Sequence, residues 1–132
     1  MSPRLSSIIG WTCAILVAAF NLFAAVMKLI PVTTGSPAEE FGRRLGTAGM
    51  EYPLAVLELV IIGLFLLPRT STVGLVLMAG YLGGALATNL THGFSSLEAL
   101  PIYILLVLLA ISGWFRNPEI NARLLKRPAP SF

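Results

Sequence analysis

Residues 50–90 read MEYPLAVLELVIIGLFLL PRTST VGLVLMAGYLGGALATNL, two apolar runs on either side of five turn-forming residues. Each run has a length suited to a helix in a hydrocarbon layer about 30 Å thick. The connection Pro68-Arg69-Thr70-Ser71-Thr72 is too short for the chain to cross the layer again, so the two helices are antiparallel neighbours. Working outward from this hairpin, two further apolar runs extend from about Ile8 to Ile30 and from Ala99 to Phe115. Pro31, Pro53 and Pro68 stand at or near the ends of runs, where a missing N–H costs little. The fold read from this pattern is all-α, a four-transmembrane-helix antiparallel bundle in a single membrane domain. Its spans lie at about 8–30, 50–67, 73–90 and 99–115, with a tail at 116–132.

Composition points the same way. Of the 132 residues 56% are hydrophobic and 11% charged, with a mean hydropathy of +0.84. Soluble domains carry about 25% charged residues because their surface must bind water. A soluble domain is therefore excluded, and the bulk of the chain must meet lipid or other protein. The net charge of +3 does not point to nucleic acid, since no Lys/Arg run precedes the last dozen residues. A single cysteine, Cys13, excludes an intramolecular disulfide and a thiolate metal cage, and its apolar surroundings make it inert. With one His and no Asp, a haem held by two histidines or a multi-ligand metal site is excluded within this chain. The first apolar run is longer than the h-region of a signal peptide, so it is read as retained.

Basic residues set the orientation, because cytoplasmic loops are enriched in Lys and Arg. Arg4, Arg69, Arg116, Arg123, Lys126 and Arg127 share one side, and Lys28, Arg43 and Arg44 the other. Both termini are thus expected in the cytoplasm, with the protein in a bacterial inner membrane. On the outer side, Ser36-Pro37-Ala38-Glu39 supplies an N-cap, a first-turn proline and a capping-box glutamate, and Gly46 offers a stop. A short interfacial helix is expected over 37–45, with Phe41 and Leu45 toward the membrane and Arg43 and Arg44 toward headgroups.

Polar groups inside apolar spans need a partner or a purpose. Glu58 lies about 12 Å below the outer end of its span, counting 1.5 Å per residue. Lys28 can reach it, either as a structural ion pair or as part of a proton or ligand site. Asn21 shares the face of Lys28 at i, i+7. In the third span Tyr81, Thr88 and His92 follow one face, with Asn89 beside Thr88. His92 falls at the outer mouth, where a solvated histidine is the plain reading. Asn21, Lys28, Glu58, Tyr81, Thr88, Asn89 and His92 are expected to converge in the outer half of the bundle. Gly80, Gly83, Gly84 and Ala87 form a small-residue stripe expected to pack against a neighbouring helix.

These pieces together resemble the DoxX-like membrane proteins. The resemblance rests on Ala25-Val-Met-Lys28-Leu, Leu57-Glu58-Leu, Leu67-Pro-Arg-Thr70, Gly80-Tyr-Leu-Gly-Gly-Ala-Leu-Ala-Thr88 and Phe115-Arg-Asn-Pro118, and it spans about residues 8 to 125. It implies a four-helix membrane bundle and a place among small partners of membrane redox or stress-response assemblies, the family being named for a subunit associated with a thiosulfate:quinone oxidoreductase. Lys28, Glu58, Tyr81 and Thr88 are the matching polar residues. Relatives often carry His after that Thr, where this chain has Asn89.

Two functions fit the chain. One is a non-catalytic accessory subunit that packs against other membrane-protein subunits and holds a lipid, quinone or pigment. The other is an oxidoreductase subunit in which Glu58, Tyr81 and His92 meet a quinone head group, with electrons carried by another chain. A transporter would call for an inverted repeat or a broken helix, and the sequence shows neither.

Overall fold

The computed structural model describes residues 2–125 of the chain. Those residues form six α-helices and no strand: α1 (Pro3–Leu29), α2 (Pro37–Leu45), α3 (Glu51–Leu66), α4 (Ser71–Thr91), α5 (Leu100–Arg116) and α6 (Pro118–Leu124). Local chemistry sets most of their ends. Helix α1 begins at Pro3, earlier than the apolar run, because the Ser2 hydroxyl accepts from Leu5 N at 3.1 Å and Pro3 occupies the first turn. Helix α2 is closed by the Ser36 hydroxyl, which accepts from Glu39 N at 3.2 Å, and by Gly46, left-handed at φ 80°. Leu67 turns extended ahead of Pro68, and the Thr70 hydroxyl ties the turn back to Leu64 O at 2.8 Å.

Helix α6 corrects the reading of 116–132 as a plain tail. Asn117-Pro118-Glu119 opens a new helix with proline in its first turn, bent 98° from α5. The Pro-rich end 127–132 and the basic residues Lys126 and Arg127 used for orientation lie outside the described residues.

By length and composition, α1 with 27 residues and α4 with 21 suffice to cross a membrane, and α5 joins them if the bent pair α5–α6 counts as one span. Helix α3 has 16 residues, about 24 Å at 1.5 Å per residue. The four long helices nevertheless pack as one bundle, α1 and α4 each lying against both α3 and α5. Their shared core includes Ala14, Val17, Ile61, Phe65, Leu75, Met78, Leu105 and Leu109. All four turn large apolar side chains outward, among them Ile15, Val60, Val76 and Val107, each more than half exposed. A continuous apolar exterior of this kind belongs against lipid.

Against lipid, burying one more leucine gains little, so close backbone approach and polar bonds must hold the helices together. The closest approach is at Gly74, where a Cβ would stand 2.2 Å from Phe65 N and 2.3 Å from its Cα. This corrects the expected packing stripe. A Cβ at Gly80, Gly83 or Gly84 would meet nothing within 4 Å, and Gly80, Gly84 and Ala87 are exposed. The contact that a small residue makes possible lies two turns earlier on α4. At the same end of the bundle, Asn117 donates to the Ser71 and Thr72 hydroxyls at 2.9 and 3.1 Å, joining α4 to the α5–α6 bend.

Candidate functional site

Toward the far end of α1 the helices diverge around a cavity of about 640 Å³. That is ample for a drug-sized molecule. Helices α1, α3, α4 and α5 supply its walls, through residues such as Phe20, Met27, Leu54, Leu57, Leu82 and Leu105. Helix α2 roofs it, with Phe41, Gly42 and Leu45 among the lining residues. Phe41 and Leu45 thus face the cavity, a correction to the expectation that they turn to the membrane, although Phe41 stays half exposed.

The roof is fastened at one end. Arg44 pairs with Glu98 at 3.1 Å, donates to Gly93 O at 3.3 Å and lies 3.8 Å over the Phe94 ring. Phe41 meets the same ring edge-on, with centroids 5.6 Å apart. Arg44 therefore does not simply reach toward headgroups, while Arg43 pairs with Glu40 on the exposed face. No spacing in the sequence signals the Arg44–Phe94–Glu98 contact, because the partners are about fifty residues apart and join α2 to the α4–α5 connection.

The polar focus of the cavity is Glu58, 1% exposed on α3. Lys28 Nζ donates to its Oε1 at 2.8 Å, and Tyr81 Oη donates to the same oxygen at 3.4 Å. Lys28 Nζ also lies 3.5 Å from Ala24 O, and its side chain keeps 28% of its surface exposed. The three groups come from three helices, and both donors converge on one carboxylate oxygen. The other, Oε2, receives no hydrogen bond from the described residues. A carboxylate with one oxygen free beside an apolar chamber can accept a hydroxyl or N–H from a guest.

Of the seven residues expected to converge, six line the cavity: Asn21, Lys28, Glu58, Tyr81, Thr88 and Asn89. The amides do not cross-link helices. Asn21 donates to Val17 O at 2.8 Å and Asn89 to Ala85 O at 2.7 Å, each bonding the turn before it, as the Thr88 hydroxyl does to Gly84 O at 2.7 Å. His92 is not among the lining residues. It is exposed at the end of α4, with Nδ1 2.8 Å from Thr88 O and its ring against Gly46. The sequence reading missed the apolar walls. Ile102 and Leu105 of α5 look like any core residues until the helices are assembled.

Gly80 and Gly84 both line the cavity and are exposed. With no side chain there, the wall at α4 is low and the chamber opens toward the surroundings of the bundle. Among the described residues, no group of three or more His, Cys, Asp or Glu is placed to hold a metal ion.

Comparison with known proteins adds one finding. The model of the DoxX-like family matches residues 12–111, which include every residue that lines the cavity. No curated protein and no solved structure matches the chain.

Proposed function

This chain belongs to the DoxX-like family, and from that premise we propose that it is a ligand-holding accessory subunit of a larger membrane complex. The observation that carries the reading is Glu58, buried in the wall of a chamber of about 640 Å³ with Oε2 free for a guest. All four long helices cross the bilayer in this reading, the two shorter ones by using their flanking turns. Their outward Val, Leu and Ile side chains support it. Lys28, Arg43 and Arg44 then lie at the outer face of a bacterial inner membrane, and Arg4, Arg69, Arg116 and Arg123 at the cytoplasmic face with both termini. The guest enters from the lipid over Gly80 and Gly84 and lays an apolar tail along Phe20, Met27 and Leu57.

A second reading, in which the guest is a quinol handled by an oxidoreductase complex, is favoured by the free oxygen. Glu58 Oε2 accepts the quinol hydroxyl, while Lys28 and Tyr81 hold the other oxygen of the carboxylate in place. With one His and one Cys this chain supplies no ligand set for a haem or cluster, so electrons leave through a partner. Titrating the purified protein with a short-tailed quinol and with the matching quinone tests this. The reading expects the quinol to bind at least tenfold more tightly, and Glu58→Gln to erase the preference. Equal affinity for both forms contradicts the quinol reading.

A further inference from the structure

A second cavity, of about 430 Å³, lies at the opposite end of the bundle, between the first turns of α1, the α3–α4 turn and the end of α5. Ser6, Ser7, Trp11, Ser71 and Arg116 line it, and among the described residues no carboxylate does. The Arg116 guanidinium is held 4.3 Å over the Trp11 ring and 5.0 Å from the Phe65 ring, and its Nη2 donates to Phe65 O at 3.0 Å. Its Nη1 is buried with no hydrogen-bond partner, and no ion pair to Arg116 exists among the described residues. The nearest carboxylate in sequence, Glu119, is engaged by Thr72 and Asn117.

A guanidinium carries five donors, and leaving it partly buried without a counter-charge is costly. Everything else at this cavity also favours an anion. The N-terminus of the 27-residue α1 adds its partial positive charge, and the exposed Arg4 and Arg69 directly follow the lining residues Pro3 and Pro68. The Ser6 and Ser7 hydroxyls beside the guanidinium suit an acceptor with several oxygens better than the two of a carboxylate. On α1 the outward Ile8, and Ile15 two turns further in, are 54% and 56% exposed, so the apolar exterior of the bundle starts beside the cavity and runs on past it.

We propose that this cavity is a phosphate site, filled in the bilayer by the headgroup of an anionic phospholipid whose tails run along Ile8 and Ile15. Arg116 gives the phosphate charge-assisted hydrogen bonds, and the Ser6 and Ser7 hydroxyls complete its shell. The site is separate from the Glu58 chamber, and its test does not depend on what that chamber holds.

Native mass spectrometry of the full chain, titrated with dioleoyl-phosphatidylglycerol, tests the assignment. Dioleoylglycerol, with the same tails and no phosphate, is the control lipid, and glycerol 3-phosphate the free phosphate. The phosphatidylglycerol adduct should form at least tenfold more tightly than the dioleoylglycerol adduct. Ser7→Glu, at an exposed position, should weaken it at least tenfold with the melting temperature undiminished, and Arg116→Lys should weaken it several-fold. Equal binding of the two lipids, or a Ser7→Glu protein that keeps its phosphatidylglycerol, overturns the proposal. Displacement by glycerol 3-phosphate at concentrations matching the lipid's overturns the lipid as the source of the phosphate.

Discussion

Removing the Lys28 ammonium should be more harmful than removing the Glu58 charge, and the two effects should not add. Glu58 is 1% exposed and Lys28 28%, with Nζ and Oε1 2.8 Å apart. In Lys28→Met the carboxylate stays inside the bundle with only the Tyr81 hydroxyl, at 3.4 Å. Breaking a buried pair on one side in this way costs about 3–5 kcal/mol. Glu58→Gln keeps an acceptor for both donors, and Lys28 can extend to the headgroup layer, so about 1–2 kcal/mol is lost. The double substitution leaves a neutral amide beside a thioether and strands no charge. It should cost about 2–3 kcal/mol, which leaves roughly 3 kcal/mol of coupling between the sites, a factor of about 150 in the unfolding equilibrium. Unfolding each variant in mild detergent by titrating a denaturing detergent, followed by Trp11 and Trp114 fluorescence, measures all four corners of the cycle. If the single losses sum to the double loss within about 0.5 kcal/mol, the pair does not hold α1 to α3 and the reasoning fails.

Other perturbations test other parts of the structure. Gly74→Ala places a methyl 2.2 Å from the Phe65 backbone and should destabilise the bundle by about 1–3 kcal/mol or more, whereas Gly80→Ala, in open space, should be neutral or stabilise by up to about 1 kcal/mol through helix propensity. The same unfolding titration separates them, and equal effects would contradict the helix contact described here. Gly46→Ala forces a left-handed alanine whose Cβ lies 2.7 Å from His92 Nε2, so amide hydrogen exchange across α2 should quicken while α3 is unchanged. Burial disfavours the charge on Glu119, but hydrogen bonds from Thr72, its own backbone N–H and Asn117 outweigh that and hold the carboxyl below its ordinary value. A depressed carboxyl contributes stability above its ordinary value and loses it as pH falls through the lowered one. Melting curves should therefore show the advantage of the natural protein over Glu119→Gln at neutral pH and its disappearance in acid; an advantage that grows on acidification would contradict the assignment.

What the sequence revealed depended on whether the determining signal was local. The ends of α2 are set by Ser36, Pro37 and Gly46, all within eleven residues, and a cap needs no tertiary partner to be recognised. The convergence of Asn21, Lys28, Glu58, Tyr81, Thr88 and Asn89 could be read because helical phase alone brings these polar groups to inward faces. Packing between helices could not. Gly80 and Gly84 carry the familiar four-residue spacing but face open space, while the isolated Gly74, with no such spacing, makes the close contact with Phe65. Which glycine touches a neighbour depends on where α3 and α4 cross, and no periodicity within α4 encodes that. The start of α6 at Asn117-Pro118-Glu119 had a local signal, yet it was masked by the proline-rich residues that follow. The fastening of α2 over the cavity by Arg44 on Phe94 is a contact between that helix and the distant α4–α5 connection and left no trace in spacing.

Whether the Glu58 chamber holds a lipid-soluble guest can be read by purifying the protein in mild detergent, extracting it with organic solvent and quantifying the extracted small molecules per chain by mass spectrometry, alongside Glu58→Gln. One amphipathic species should be found at close to one per chain in the natural protein, reduced at least tenfold in a Glu58→Gln protein of intact fold. No species above the background of membranes lacking the protein, or equal amounts from both proteins, would contradict it.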